Sequence, residues 1–273
     1  MRFATPLLAC ASSAAAVLAM SFAFVPSKTA SAVSPPTAAV IAAPAADDFG
    51  TIKGRIVFGG EAPKMPEIDV KTQAFCNTKT VLDRSLAVDP KSKGIANVLV
   101  WLPTPKGKNA AAEKALLEKT PVVKIDNKNC EFLPRSTAMH KSQALEFTSS
   151  DAVGHNSHVM GFSYGCNLAL APEGKATAPK VQVEKRPMKL KCDIHGWMEG
   201  HILVCGHPFF AVTGEDGTFE ITGVPAGTQN VIIWQEKAGF VSTGQMKGQP
   251  VEVKAGGKMD LGDVVLDPSK VKK

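Results

Sequence analysis

From Gly50 onward the chain is cut into short β-branched or alternating runs separated by turn residues, a pattern compatible with few architectures. The runs are Arg55–Phe58, Asn97–Leu102, Ala144–Thr148, His201–Val204, Asn230–Trp234 and Gly262–Leu266. Strands this short and this regularly spaced pack as sandwiches or barrels, so the expected class is all-β. One segment breaks the pattern. Ala110 to Lys119 is almost wholly Ala, Leu, Glu and Lys, with Pro121 just beyond, and predicts a connecting helix. Glu215-Asp216-Gly217-Thr218 predicts a tight hairpin before Phe219-Glu220-Ile221, and Gly223 to Gly227 a second turn.

The N-terminus reads as an export signal over residues 1–32. Arg2 supplies the positive start, Leu7 to Val25 is almost wholly apolar, and Ala30-Ser31-Ala32 offers a small-residue cleavage site. The expected location is therefore periplasmic or otherwise exported. Left uncleaved, the apolar run is nearly long enough to span a bilayer and would give membrane association. Cys10 precedes most of that run, which argues against a lipoprotein. Residues 33–47, rich in Ala and Pro, read as a flexible tether. No second long apolar segment occurs. The net charge is +6, but the lysines are scattered without a basic block or interleaved aromatics, which excludes a nucleic-acid partner. Oligomeric state is left open.

The chemistry concentrates in Cys192-Asp-Ile-His195-Gly-Trp-Met198, with Gly154-His155-Asn156 upstream. A thiolate, two imidazoles and a thioether form the ligand list of one type 1 (blue) copper: His155, Cys192 and His195 in a plane, with Met198 as weak axial ligand. Taken singly, each has a plainer reading. Cys192 alone is a buried thiol or a disulfide partner, Met198 core packing, and a lone His filler. Together, the four agree in type, order and spacing. His158 lies three residues beyond His155, so strand alternation turns it to the opposite face. His140, His201 and His207 do not complete a ligand set, and all four read as structural.

Two competing sites are weaker. Gly161-Phe-Ser163-Tyr-Gly165 matches the nucleophile elbow of hydrolases, but the chain lacks their β/α alternation and Pro172 interrupts the segment after Gly165. Zinc suits Cys and His, yet methionine is a poor zinc ligand and paired Cys-x-x-Cys knuckles are absent. With neither paired carboxylates nor an open metal position, no catalytic residue is assigned and no enzyme is expected. Besides Cys10 there are five cysteines, an odd number for an oxidising compartment. With Cys192 on the metal, the other four allow three pairings. The preferred one is Cys76 with Cys130 and Cys166 with Cys205.

The stretch Gly154-His155-Asn156-Ser157-His158, together with Cys192-x-x-His195-x-x-Met198 and the closing Gly200 to Val204, resembles the cupredoxins, and among them the amicyanin and plastocyanin-like members. The resemblance spans residues 121–206 and implies a Greek-key sandwich, one copper, and one-electron transfer between a donor and an acceptor redox protein. It further implies that Asn156 clamps the ligand loop and that Trp197 either belongs to a docking face or seals the copper. Gly196 departs from the family, which often has Pro there, and Cys166 and Cys205 lie outside its pattern. The flanks, Gly50 to Phe58 and Ala211 to Gly227, resemble a carboxypeptidase-regulatory-like, transthyretin-like sandwich. Residues 48–120 and 207–273 would then form a second small sandwich, the first part carrying the helical connector. The whole is similar to proteins of methylamine-utilisation type. A non-redox envelope binding or adhesion protein, or a copper carrier, is the alternative.

Overall fold

The computed structural model describes residues 48–70 and 73–272. The expected signal, tether and Cys10 lie outside the described residues. Among those described, no helix is long and apolar enough to cross a membrane.

The fold is all-β, with four sheets among the described residues. The strands β3 (Val122–Lys128), β4 (Glu131–Leu133), β6 (Ala144–Ser149) and β9 (Lys175–Thr177) form a sheet of order β4-β3-β6-β9. Facing it are β5 (Ser136–His140), β7 (His155–Met160), β8 (Gly165–Leu170), β10 (Met188–Lys191) and β11 (Glu199–Cys205), in the order β5-β11-β10-β7-β8. The flanking segments supply a second pair. One sheet is β13-β1-β17, from β1 (Phe49–Phe58), β13 (Thr218–Pro225) and β17 (Lys258–Leu266). The other is β12-β2-β14-β15, from β2 (Leu99–Trp101), β12 (Phe210–Val212), β14 (Gly227–Gln235) and β15 (Gly239–Phe240), with β16 (Gln249–Val253) also paired to β14. The predicted helix is α1 (Ala110–Lys119). Asn109 caps it by accepting the Ala112 N–H at 2.9 Å and ties it to β13 by donating to Gly223 O at 3.0 Å.

Side-chain alternation explains why several strands read as continuous apolar runs. In β11, Ile202 and Val204 enter the core of the first sandwich, while Leu203 and Cys205 face the other way into a joint core with the second. In β14, Val231 and Ile233 face the second sandwich's own core and Ile232 faces the joint core. Val100 and Trp101 of β2 divide likewise. Over Ile202–Cys205, Val231–Ile233 and Val100–Trp101 both faces are buried, so the apolar run is unbroken there.

Three expectations are corrected. Cys76 and Cys130 form a disulfide, but Cys166, Cys192 and Cys205 are free. Cys205 lies on β11 and Cys166 on β8, with β10 and β7 between them. Three strand spacings of about 4.8 Å alone separate them by about 14 Å, and register sets Cys166 level with Gly200, short of Cys205 along β11, so they lie well beyond the ~7 Å Cα limit for a disulfide. Glu215 to Thr218 does not close a hairpin. It carries the chain from β12 in one sheet to β13 in the other. Its Gly217 has φ +80°, and a Cβ there would lie 2.2 Å from Ile56 O and 2.8 Å from Gly94 Cα, so this corner requires glycine. Finally, the span after β1 does not serve the flanking sandwich alone. Val70, Cys76 and Val81 are buried in the core of the first sandwich, where the disulfide fastens them.

Candidate metal centre

Register brings the two distant stretches together. β10 and β7 are antiparallel neighbours with Lys191 opposite His158, so the chain leaving β10 runs beside the start of β7, where His155 stands. The ligand loop then turns back into β11. Met198 N donates to His195 O at 2.8 Å and Cys192 N to Met198 O at 3.1 Å, which folds Cys192 to Met198 into a closed loop.

His155, Cys192 and His195 converge, with one ligand atom from each lying within 4.8 Å of the others. All three are buried, at 1%, 1% and 3% exposure. Cys192 Sγ is 3.7 Å from His195 Nδ1, and the two imidazole centroids are 4.7 Å apart. His155 Nε2 is held by Asp151 Oδ2 at 3.0 Å, while His155 Nδ1 is buried with no hydrogen-bond partner. A buried polar nitrogen without a partner is costly, and a metal ion would satisfy it. Met198 closes the loop with its side chain buried in the same core. The donor set therefore fits copper: a thiolate and two imidazoles in contact, with a thioether on the same loop.

The shifts at Cys192 and His195 favour ligation, whereas the one at His155 sets a proton in competition with a metal. Burial works against the Cys192 thiolate, but the His155 ring and the backbone N–H groups of Asn156, His195 and Ile194 outweigh it and bring the thiol below its ordinary pKa. Burial likewise opposes charge on His155, yet Cys192 and Asp151 raise its pKa. His195 is lowered, by burial first and then by the neighbouring His155, which keeps its ring neutral and able to bind.

Asn156 and Trp197 stand around the ligand atoms rather than among them. Asn156 Oδ1 accepts the Asp193 N–H at 2.7 Å, and its Nδ2 donates to Asn167 Oδ1 at 2.7 Å and Asp193 Oδ2 at 2.9 Å, pinning the loop to β7 and β8. Lys191 foremost, with Asn156, Asn167 and His158, holds the Asp193 carboxyl far below the usual carboxylate range. Trp197 packs its ring 5.4 Å from that of His195 and donates Nε1 to Cys130 O at 3.2 Å. Of its two expected roles, this inward placement favours sealing. The remaining histidines lie outside the cluster. His158 meets Asp193, His201 lies against Trp234, and Nδ1 of His140 and of His207 accepts the backbone N–H of Ser142 and Phe209 respectively. Ser163 sits in the turn joining β7 to β8, not between a strand and a helix.

Asp151 is the residue that sequence reading missed. Its one signal is an acid four residues before a candidate ligand histidine, a spacing with no meaning until the loop before β7 is folded. A second convergent group, Cys130, Asp151 and His155, has its sulfur committed to the disulfide.

No protein-family model matches the chain, and no curated protein matches it. Among solved structures, a Cu-containing nitrite reductase from Thermus scotoductus SA-01 overlaps 30% of this chain at 17% identity and a TM-score of 0.28. That overlap spans 22% of the reductase's own length. An amicyanin variant in its Cu(I) form overlaps 39% of this chain and 98% of its own, at 17% identity and a TM-score of 0.28. A second, reduced amicyanin variant gives the same coverage and TM-score at 14% identity. Likeness this partial carries no functional weight, which falls on the geometry of the site.

Proposed function

We propose that the chain is an exported one-electron carrier holding a single type 1 copper through His155, Cys192 and His195, with Met198 as the weak axial ligand. The observation that carries this reading is the buried, unpartnered His155 Nδ1 beside the Cys192 and His195 ligand atoms. When bound, copper supplies one-electron cycling between Cu(I) and Cu(II) in a ligand set that suits both states.

The chain's own residues account for the rest. Asp151 accepts a proton-bearing His155 Nε2 and so leaves Nδ1 as the binding nitrogen. Asn156 ties the ligand loop to two strands, which resists rearrangement when the charge at the site changes. Burial of His155, Cys192 and His195 keeps water from the donor atoms, and Met198, buried in the same core, would complete the set that holds the copper. Ile194, 53% exposed inside the loop, gives a donor or acceptor redox protein an apolar point of approach.

Adding Cu(II) to the purified chain lacking residues 1–32 tests the reading. An intense thiolate-to-copper charge-transfer band is expected, absent in Cys192→Ser. A colourless protein that takes up zinc equally well would overturn it.

A further inference from the structure

The two braces behind the imidazoles end on one residue. Cys130 N donates to Asp151 Oδ2 at 2.9 Å, the same oxygen that lies 3.0 Å from His155 Nε2. Asn129 N donates to the other carboxylate oxygen at 2.7 Å. Cys130 O accepts Trp197 Nε1, and the Trp197 ring lies against His195. The donor and the acceptor of residue 130 thus lead to different ligands of the site.

Residue 130 is held unusually. Asn129 and Cys130 form the two-residue turn between β3 and β4, with φ of +54° and +57°. Such a turn takes Asn well at its first position but normally glycine at its second. A non-glycine residue persists in the left-handed region where its surroundings hold it there. Here they are Asp151, Trp197 and the bond to Cys76, 54 residues earlier, on a segment whose Val70 and Val81 share the same core.

We propose that Cys130, stapled by Cys76, is the positioning residue of the metal centre. It sets the direction of His155 through Asp151 and the plane of His195 through Trp197. The inference rests on the copper reading and adds to it a dependence on a disulfide that supplies no ligand.

The test compares wild type, Cys76→Ser/Cys130→Ser and Trp197→Phe. In the metal-free protein, the His155 Nε2–H should exchange with water at least tenfold faster in the double variant, read by nitrogen-edited NMR. With copper bound, the double variant should shift the charge-transfer band and release metal to a chelator about 10–100-fold faster, the usual scale for losing a ligand's supporting partner. Trp197→Phe keeps the disulfide and Asp151. It should leave His155 exchange unchanged while still shifting the band through His195. A folded double variant with wild-type exchange, spectrum and release overturns the inference. If the double variant does not fold, Trp197→Phe decides, and an unchanged spectrum and release rate overturn it. A wild type without the charge-transfer band fails the copper reading instead, while the metal-free exchange measurement still reports on the brace.

Discussion

At His155 the two ring nitrogens have different tasks: Nε2 is committed to Asp151, and Nδ1 is buried and unpartnered. His140 shares that asymmetry, its Nδ1 accepting the Ser142 N–H and its Nε2 buried without a hydrogen bond, so what sets His155 apart is the convergence of its ring with the Cys192 and His195 donor atoms. The candidate ligand types were legible because a thiol, an imidazole and a thioether at a fixed spacing on one loop are rare together. Asp151 was not legible, because a buried carboxylate accepting two turn N–H groups looks in sequence like any loop acid. The cysteines show the same limit. Counting an odd thiol was possible, but choosing partners required knowing that two strands separate Cys166 from Cys205. Titrating the denatured, metal-free chain lacking residues 1–32 with a thiol reagent should therefore find three free sulfurs, those of Cys166, Cys192 and Cys205. A value of one would restore the second disulfide.

At the scale of elements, α1 and the strand runs follow from local preference. Ala, Leu, Glu and Lys favour helix, and β-branched runs between turns favour strands. Which strands pair does not follow from local preference, as the turn at Glu215 to Thr218 shows. Its composition suits a hairpin, yet it crosses between sheets, because β12 is claimed by β2 and β13 by β1. Close approach to Gly94 makes Gly217 indispensable at that corner. Gly217→Ala should cost on the order of 1–3 kcal/mol from the backbone conformation alone. The measurement is the urea unfolding midpoint, and a wild-type midpoint would show that the corner relaxes freely.

At the scale of the molecule, three apolar cores among the described residues pack between four sheets, and the middle one joins the two sandwiches. Leu203, Ile232, Leu99 and Trp101 fill it, and Arg135 reaches Glu236 across the joint with two hydrogen bonds of 2.8 Å. Leu203→Ala should destabilise by about 2–5 kcal/mol, the usual range for a buried leucine. If the joint couples the sandwiches, calorimetry should show the loss in one cooperative transition; two separate transitions in wild type would show them independent. An all-β fold with a Cys-His-Met loop was readable from the chain, because strand period, turn residues and ligand spacing are local properties carried by neighbouring residues. The meeting of His155 with that loop, the support of Asp151 and Cys130, the free thiols and the joint core depend on strand register and sheet stacking. Those come from burying apolar faces across large sequence separations, so no single stretch of the sequence encodes them.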